Sequence, residues 1–240
     1  MDERPRVTGD IATDTHWYGR TPNGRLYSME VRPGTSDWNT VNACAGANDE
    51  YDIPEGVTGW ALDVGAHIGA WAVPFAIDNP GVSVLCVEAL PENVEVLKRN
   101  IARNELTGRV WVALGAAGDG SVVEIFYPAD EQHRFIGNAD HPGAPTASTG
   151  PRESLTLEAL HVMAASLPGD TTASRFSYMK IDCEACEYPV FAGGADLVGT
   201  IVGEHHRGIE GIVRALIDTH DVSLMGGTEA FGQFRAVRRG

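Results

Sequence analysis

Basic residues are scarce in this chain. Eighteen Lys and Arg stand against 33 Asp and Glu, a formal net charge of −15. A groove that tracks nucleic-acid phosphates needs a basic surface, and the one basic cluster is the short run Arg235–Arg239. Nucleic acid is therefore not expected as a substrate. Long apolar runs are missing too. No stretch approaches the roughly 18 uninterrupted apolar residues of a membrane span. The opening MDERPRVTGD has no signal-peptide core, so no membrane partner and a cytoplasmic location are expected. Cysteine is sparse. Cys44, Cys86, Cys183 and Cys186 are too few and too scattered for a disulfide scaffold. Cys183 and Cys186 form a lone C-x-x-C with no second pair to complete a zinc site, and small core cysteines beside a site are expected. No internal repeat is visible.

What is present centres on Ala61–Trp71, ALDVGAHIGAW. Trp60–Val64 reads as a buried parallel strand, Gly65–Gly69 as a tight turn and Ala70–Asp78 as a helix. Glycines let a ligand approach the backbone. A helix start presents free N–H groups and a positive dipole end. The G-x-G-x-x-G pyrophosphate fingerprint is absent. Asp-x-Gly-x-x-x-Gly stands there instead, and Asp63 is placed to accept from a cationic amine. That suits an amino-acid-bearing nucleoside better than a dinucleotide. Glu88 ends the next strand, Val82–Glu88, where an acid binds ribose hydroxyls in nucleotide folds.

Helices are expected over Pro91–Asn104, Thr156–Leu167 and Ile209–Thr219. Strands are expected over Arg109–Leu114, Ser121–Tyr127, Phe176–Cys183 and Thr200–His205, with Asp221–Met225 and Phe231–Val237 as an antiparallel edge pair. This alternation implies an α/β, doubly wound, mostly parallel sheet. Residues 1–57 read as an N-terminal extension, with a strand over Arg25–Arg32 and a short helix over Thr35–Ala45 capped by Ser36 or Asp37. Residues 58–240 form the main domain. The Pro- and Gly-rich run 128–151 reads as a substrate lid carrying His133, Arg134 and His141.

Two acidic clusters close adjacent strands: Asp182, Glu184 and Glu187 in KIDCEACE, then Glu204, His205 and His206. They position a substrate, hold a divalent cation or cap the following helix. Asp182, Glu184, Glu204 and His205 are the candidate ligands if a metal is used, although no resident metal is expected. His205 and Glu184 rank first as general base.

In order, LDVGAHIG, VEALPENVEVLKRNI, ALGAAGDG, SLTLEAL, MKIDCEACEYPVFAGG and IVGEHH resemble the FkbM-type, S-adenosylmethionine-dependent methyltransferases. RPGTSDWNTV and the DEY ending at Tyr51 resemble that family's entry segment. The likeness runs from Arg32 to His206. His67 stands where Asn is more usual, and Ala185 and Cys186 replace a Gly-containing step. The resemblance implies a class I, Rossmann-like methyltransferase fold. It implies transfer to an oxygen, often on a sugar or polyketide-like product, with S-adenosylhomocysteine released. Asp63, Gly65, His67, Ile68 and Gly69 would hold the methionine part, Glu88 the ribose, and Asn93 with Ala116 the adenine side. Asp182 would face the sulfonium. Arg32, Asp37 and Tyr51 would close the pocket. A cofactor-binding protein without catalysis and a metal-assisted O-methyltransferase are the alternatives. A nicotinamide dehydrogenase and a nucleic-acid amino-methyltransferase fit less well, the latter for want of an Asn/Asp-Pro-Pro-aromatic signature. Oligomeric state is not readable.

Overall fold

A computed structural model describes residues 15–45, 48–128, 146–170, 173–184 and 186–240. A hairpin of β1 (His16–Arg20) and β2 (Leu26–Glu30) leads into α1 (Asp37–Ala43). The core follows with β3 (Gly59–Val64), α2 (Ala72–Asp78), β4 (Val82–Glu88), α3 (Pro91–Arg103) and β5 (Val110–Leu114). Four short strands come next: β6 (Val122–Val123), β7 (Phe126–Pro128), β8 (Thr146–Ser148) and β9 (Arg152–Glu153). The chain then runs through α4 (Leu157–Ser166), β10 (Phe176–Ile181), β11 (Val198–His205), α5 (Ile209–Leu216), β12 (His220–Gly227) and β13 (Gly232–Arg238).

Seven strands form one sheet in the order β12-β13-β11-β10-β3-β4-β5. β13 pairs antiparallel with β11 and β12, and the other pairings are parallel. From β3 the chain winds outward to β4 and β5. From β10 it winds the other way to β11. The order therefore reverses between β3 and β10, where open α/β sheets open a crevice at the carboxyl ends of their strands. Alternation along the strands feeds two cores. Ala61, Val84, Cys86 and Tyr178 face α2, α3 and the extension. Trp60, Leu62, Leu85, Val87, Met179 and Ile181 face the side of α4 and α5.

The extension is bolted to the core by polar side chains. Asn100, buried in α3, donates to the carbonyls of Glu30 and Ile68. Arg99 meets Glu30 through a two-pronged ion pair at 2.8–3.1 Å. Glu95, four residues before Arg99 on the helix, bonds Lys98 at 3.3 Å and leaves Arg99 to Glu30. Pro74 is the third residue of α2, in its first turn, where a ring without an N–H is tolerated. Thr156 caps α4 through its side chain, whereas neither Ser36 nor Asp37 caps α1. Asp37 is engaged by Arg32.

Other elements depart from expectation. The strand expected over Ser121–Tyr127 is split into β6 and β7, which pair with β9 and β8 outside the main sheet. β1 was not anticipated, since HWYGR carries no clean alternation. The helix expected over Ile209–Thr219 stops at Leu216, and Ile217 just past it is 52% exposed. No helix among the described residues is long and apolar enough to cross a membrane.

Candidate functional site

The crevice at the switch point is a cleft of two lobes, about 330 and 340 Å³. Gly65, Glu88, Cys183 and Glu184 line both and form the join. The first lobe extends past Ala66, His67, Asn93, Lys180 and Asp182 to Tyr51, Glu50 and Glu204. The second extends past Ala116, Ala117 and Asp119 to Ser154, Pro189 and Arg207.

The glycine turn is shaped by its neighbours. Gly65 has φ +75°, and a Cβ there would stand 1.8 Å from the carbonyl oxygen of Asp182. Its bareness is thus demanded by the strand beside it before any ligand arrives. His67 also has positive φ, +51°, a region that Asn, Asp and His enter more readily than other side chains. Its backbone N–H donates to Glu88 Oε2 at 2.8 Å. Glu88 Oε1 accepts from Leu90 N and from Asn93 Nδ2 at 2.9 and 3.2 Å. Burial raises the Glu88 pKa against these donors. A carboxylate offers about four lone-pair sites, so one remains for a hydroxyl.

Arg32 and Asp37 were expected to close the pocket, but neither lines it. Arg32 forks onto Asp37 at 2.7–2.8 Å and donates to Asn93 Oδ1 at 2.7 Å. His67 Nε2 lies 3.2 Å from Asp37 Oδ1. The pair braces the turn from behind. Burial holds the His67 pKa down to about 4, against the pull of Asp37 and with help from Arg32 and Lys180. The ring is therefore neutral, and its Nδ1 is buried with no partner among the described residues.

Asp63, expected at the ligand, lies wholly buried beneath the turn. It sits beside Lys180 in the β3–β10 register, and Lys180 Nζ stands 3.4 Å from Asp63 Oδ1. Lys180 also donates to the Gly65 carbonyl at 2.9 Å and lies over the Tyr51 ring. Burial opposes the Lys180 charge, but Asp63 and Asp182 outweigh it and raise its pKa. Ile68 is a core residue, and Gly69 makes room for Leu97. Neither reaches the cleft. Asn93 and Ala116, expected together, line different lobes. His133, Arg134 and His141 lie outside the described residues, as does most of the expected lid.

At the far end of the first lobe the expected histidine is off by one. Glu204 faces the cleft, so the next residue of β11, His205, turns to the other face. His205 is fully buried, and neither ring nitrogen has a partner among the described residues. His206 comes to the acids instead. Its Nδ1 lies 2.9 Å from Glu187, and its Nε2 lies 3.5–3.8 Å from Glu204, Glu184 and Asp182. Burial works against its charge, yet the bond to Glu187 and the facing Glu204 raise its pKa to about 10. An imidazole already protonated at neutral pH is no general base. Tyr51 donates to Asp182 Oδ2 at 2.9 Å. Glu50, which sequence reasoning missed, shares Gln233 Nε2 with Glu204 at 2.9 and 3.2 Å. Burial and the Glu204 carboxylate raise the Glu50 pKa to about 7. Cys183 and Cys186 form a disulfide, not the separate thiols expected. The chain turns tightly after β10, with Glu184 at φ +55° between them.

A model of the FkbM methyltransferase domain matches residues 63–235. The chain belongs to that family. Its methyltransferase activity, class I fold and use of S-adenosylmethionine follow from that membership together with the sheet order above. A curated relative, 31-O-demethyl-FK506 methyltransferase FkbM of Streptomyces tacrolimicus, is 28% identical over 192 residues, covering 68% of this chain and 72% of its own. Among solved structures, an O-methyltransferase from Bacillus cereus in complex with S-adenosylhomocysteine overlaps with a TM-score of 0.45 at 16% identity. It covers 75% of this chain and 74% of its own. Precorrin-6y C5,15-methyltransferase from Geobacter metallireducens overlaps at 0.44 and 9% identity, covering 84% and 87%.

Proposed function

We propose that this FkbM methyltransferase acts on a hydroxyl of a small molecule, such as a sugar or a polyketide-like product. The observation that carries the reading is the joined cleft, in which a nucleoside-sized lobe meets a lobe ending in carboxylates. The O-methylation named for the Streptomyces relative supports it.

The donor supplies a methyl group already activated on a sulfonium. The chain's residues hold and aim it. The spare lone pair of Glu88 suits a ribose hydroxyl. The orphaned Nδ1 of His67 suits a proton from the amino-acid ammonium. The backbone at Gly65 and Ala66 lets that part lie close, and Ala116 flanks the base. Alignment of this kind is worth up to about 7–11 kcal/mol. The acceptor enters beside Tyr51, where Asp182 and Glu184 orient its hydroxyl. Glu50 takes up the proton, its pKa of about 7 matching the task.

Calorimetry should show binding of S-adenosylhomocysteine and none of NAD. Labelled donor should then be screened against a panel of sugars and alcohols. With an acceptor found, the rate should rise with pH through about 7, as Glu50 becomes its carboxylate. Glu50→Gln should flatten that rise and lower kcat by about 10²–10⁴, with S-adenosylhomocysteine binding unchanged. Transfer to amines alone would overturn the hydroxyl reading.

A further inference from the structure

Four carboxylates, Asp182, Glu184, Glu187 and Glu204, crowd one imidazole at the end of the first lobe. Lys180, the cation beside them, is already engaged with Asp63 and the Gly65 carbonyl. The side chains here are held by different atoms from those they turn toward one another. Tyr51 holds Asp182 by Oδ2, which leaves Oδ1 facing His206. Glu187, wholly buried, holds His206 by Nδ1, which leaves Nε2 facing Asp182 and Glu184. That is the arrangement of a metal-binding histidine, whose outer nitrogen is fixed by a carboxylate so that the inner one is aimed.

We propose that Asp182, Glu184 and His206 form a divalent-cation site at the acceptor end of the cleft. One ligand atom from each lies within 4.8 Å of the others. His206 Nε2 stands 3.8 Å from Asp182 Oδ1 and 3.7 Å from Glu184 Oε2. These gaps exceed a direct hydrogen bond. They match the spacing of two ligands on one ion, roughly 3–5 Å for bonds of about 2.0–2.6 Å. Glu204 Oε2, 3.5 Å from Nε2, adds negative charge beside the set. The ion takes the place of the proton that Nε2 otherwise carries among these acids, and that proton leaves to solvent. Two carboxylates and one imidazole favour a cation of the magnesium or manganese kind, with water filling the open positions. Asp182 and Glu184 line the cleft, so the open positions face incoming acceptor.

The ion's use rests on the methyl-transfer reading, although its binding does not. An acceptor hydroxyl that displaces a bound water becomes more acidic. Its O–H bond breaks, the electron pair stays on oxygen and the proton passes to Glu50 or to solvent. The acceptor is then gripped and activated together.

The test is manganese binding to the chelator-stripped full chain, followed by the loss of the free-ion paramagnetic resonance signal. One ion should bind per chain. Pulsed resonance should detect nitrogen coupling from His206. Asp182→Asn and His206→Gln should each weaken binding at least tenfold, and His206→Gln should remove the nitrogen coupling. Thermal unfolding identifies any variant that fails to fold. If His206→Gln is one of them, the wild-type nitrogen signal together with the loss in Asp182→Asn decides the matter. No stoichiometric binding at millimolar manganese would overturn the proposal. So would binding without nitrogen coupling, which would place the ion on surface acids, or binding unchanged in a folded Asp182→Asn. Calorimetry with S-adenosylhomocysteine on the same stripped chain separates this failure from a failure of the cofactor reading.

Discussion

His67 illustrates how much one side chain does at the turn. It holds a left-handed backbone position, offers its N–H to Glu88, and is packed neutral against Asp37, Arg32 and Lys180. Its folded pKa of about 4 lies below the unfolded value of about 6.5. The unfolded chain therefore binds the extra proton first. The stability from a neutral His67 is fully present above pH 6.5 and is lost as pH falls toward 4. The loss should be on the order of 3 kcal/mol. Urea unfolding at pH 7, 5.5 and 4.5 measures it. His67→Asn keeps a residue suited to positive φ and should flatten that acid slope. An unchanged slope would show that other groups govern acid unfolding. The sequence singles out His67 by its place in the glycine turn, and the structure puts it on the cleft wall. Sequence reasoning misjudged Asp63, Arg32 and Asp37, since spacing along the chain does not reveal which buried charge meets which. It chose His205 over His206 because one residue of strand register decides the face, and no local signal fixes where β11 ends.

At the scale of elements, the strands and helices of the core were largely legible. The run VSVLCVE occupies β4 from end to end, and Pro91 opens α3 as its fixed backbone angle allows. Periodicity carries such segments. It fails in β6–β9, where strands of two or three residues are too short to show a period. It also cannot foresee that the end of β10 presses on the β3 turn. Gly65 follows from that contact. Gly65→Ala should lower stability even without ligand, through left-handed strain of about 1–2 kcal/mol plus the clash with the Asp182 carbonyl. Gly24→Ala is the control, because Gly24 has φ +84° with none of the described residues within 4 Å of its missing Cβ. It should show the strain alone, a melting drop of roughly 2–8 °C. Equal drops in the two variants would mean that Asp182 yields at no cost.

For the whole molecule, the doubly wound order brings together residues 117 positions apart, Asp63 and Lys180, at the centre of the sheet. Each charge is buried for the sake of the other. Removing one partner leaves an uncompensated charge, a loss of about 3–5 kcal/mol. Asp63→Asn and Lys180→Met should each show it in urea unfolding. The double substitution should recover much of the loss, because both charges then go. Additive losses would mean that Lys180 serves the Gly65 carbonyl alone. The bond is also a rule of inheritance. A descendant that loses one of these charges gains by losing the other, so in a library selected only for folding the two positions should change as a pair, like matched teeth on facing gears.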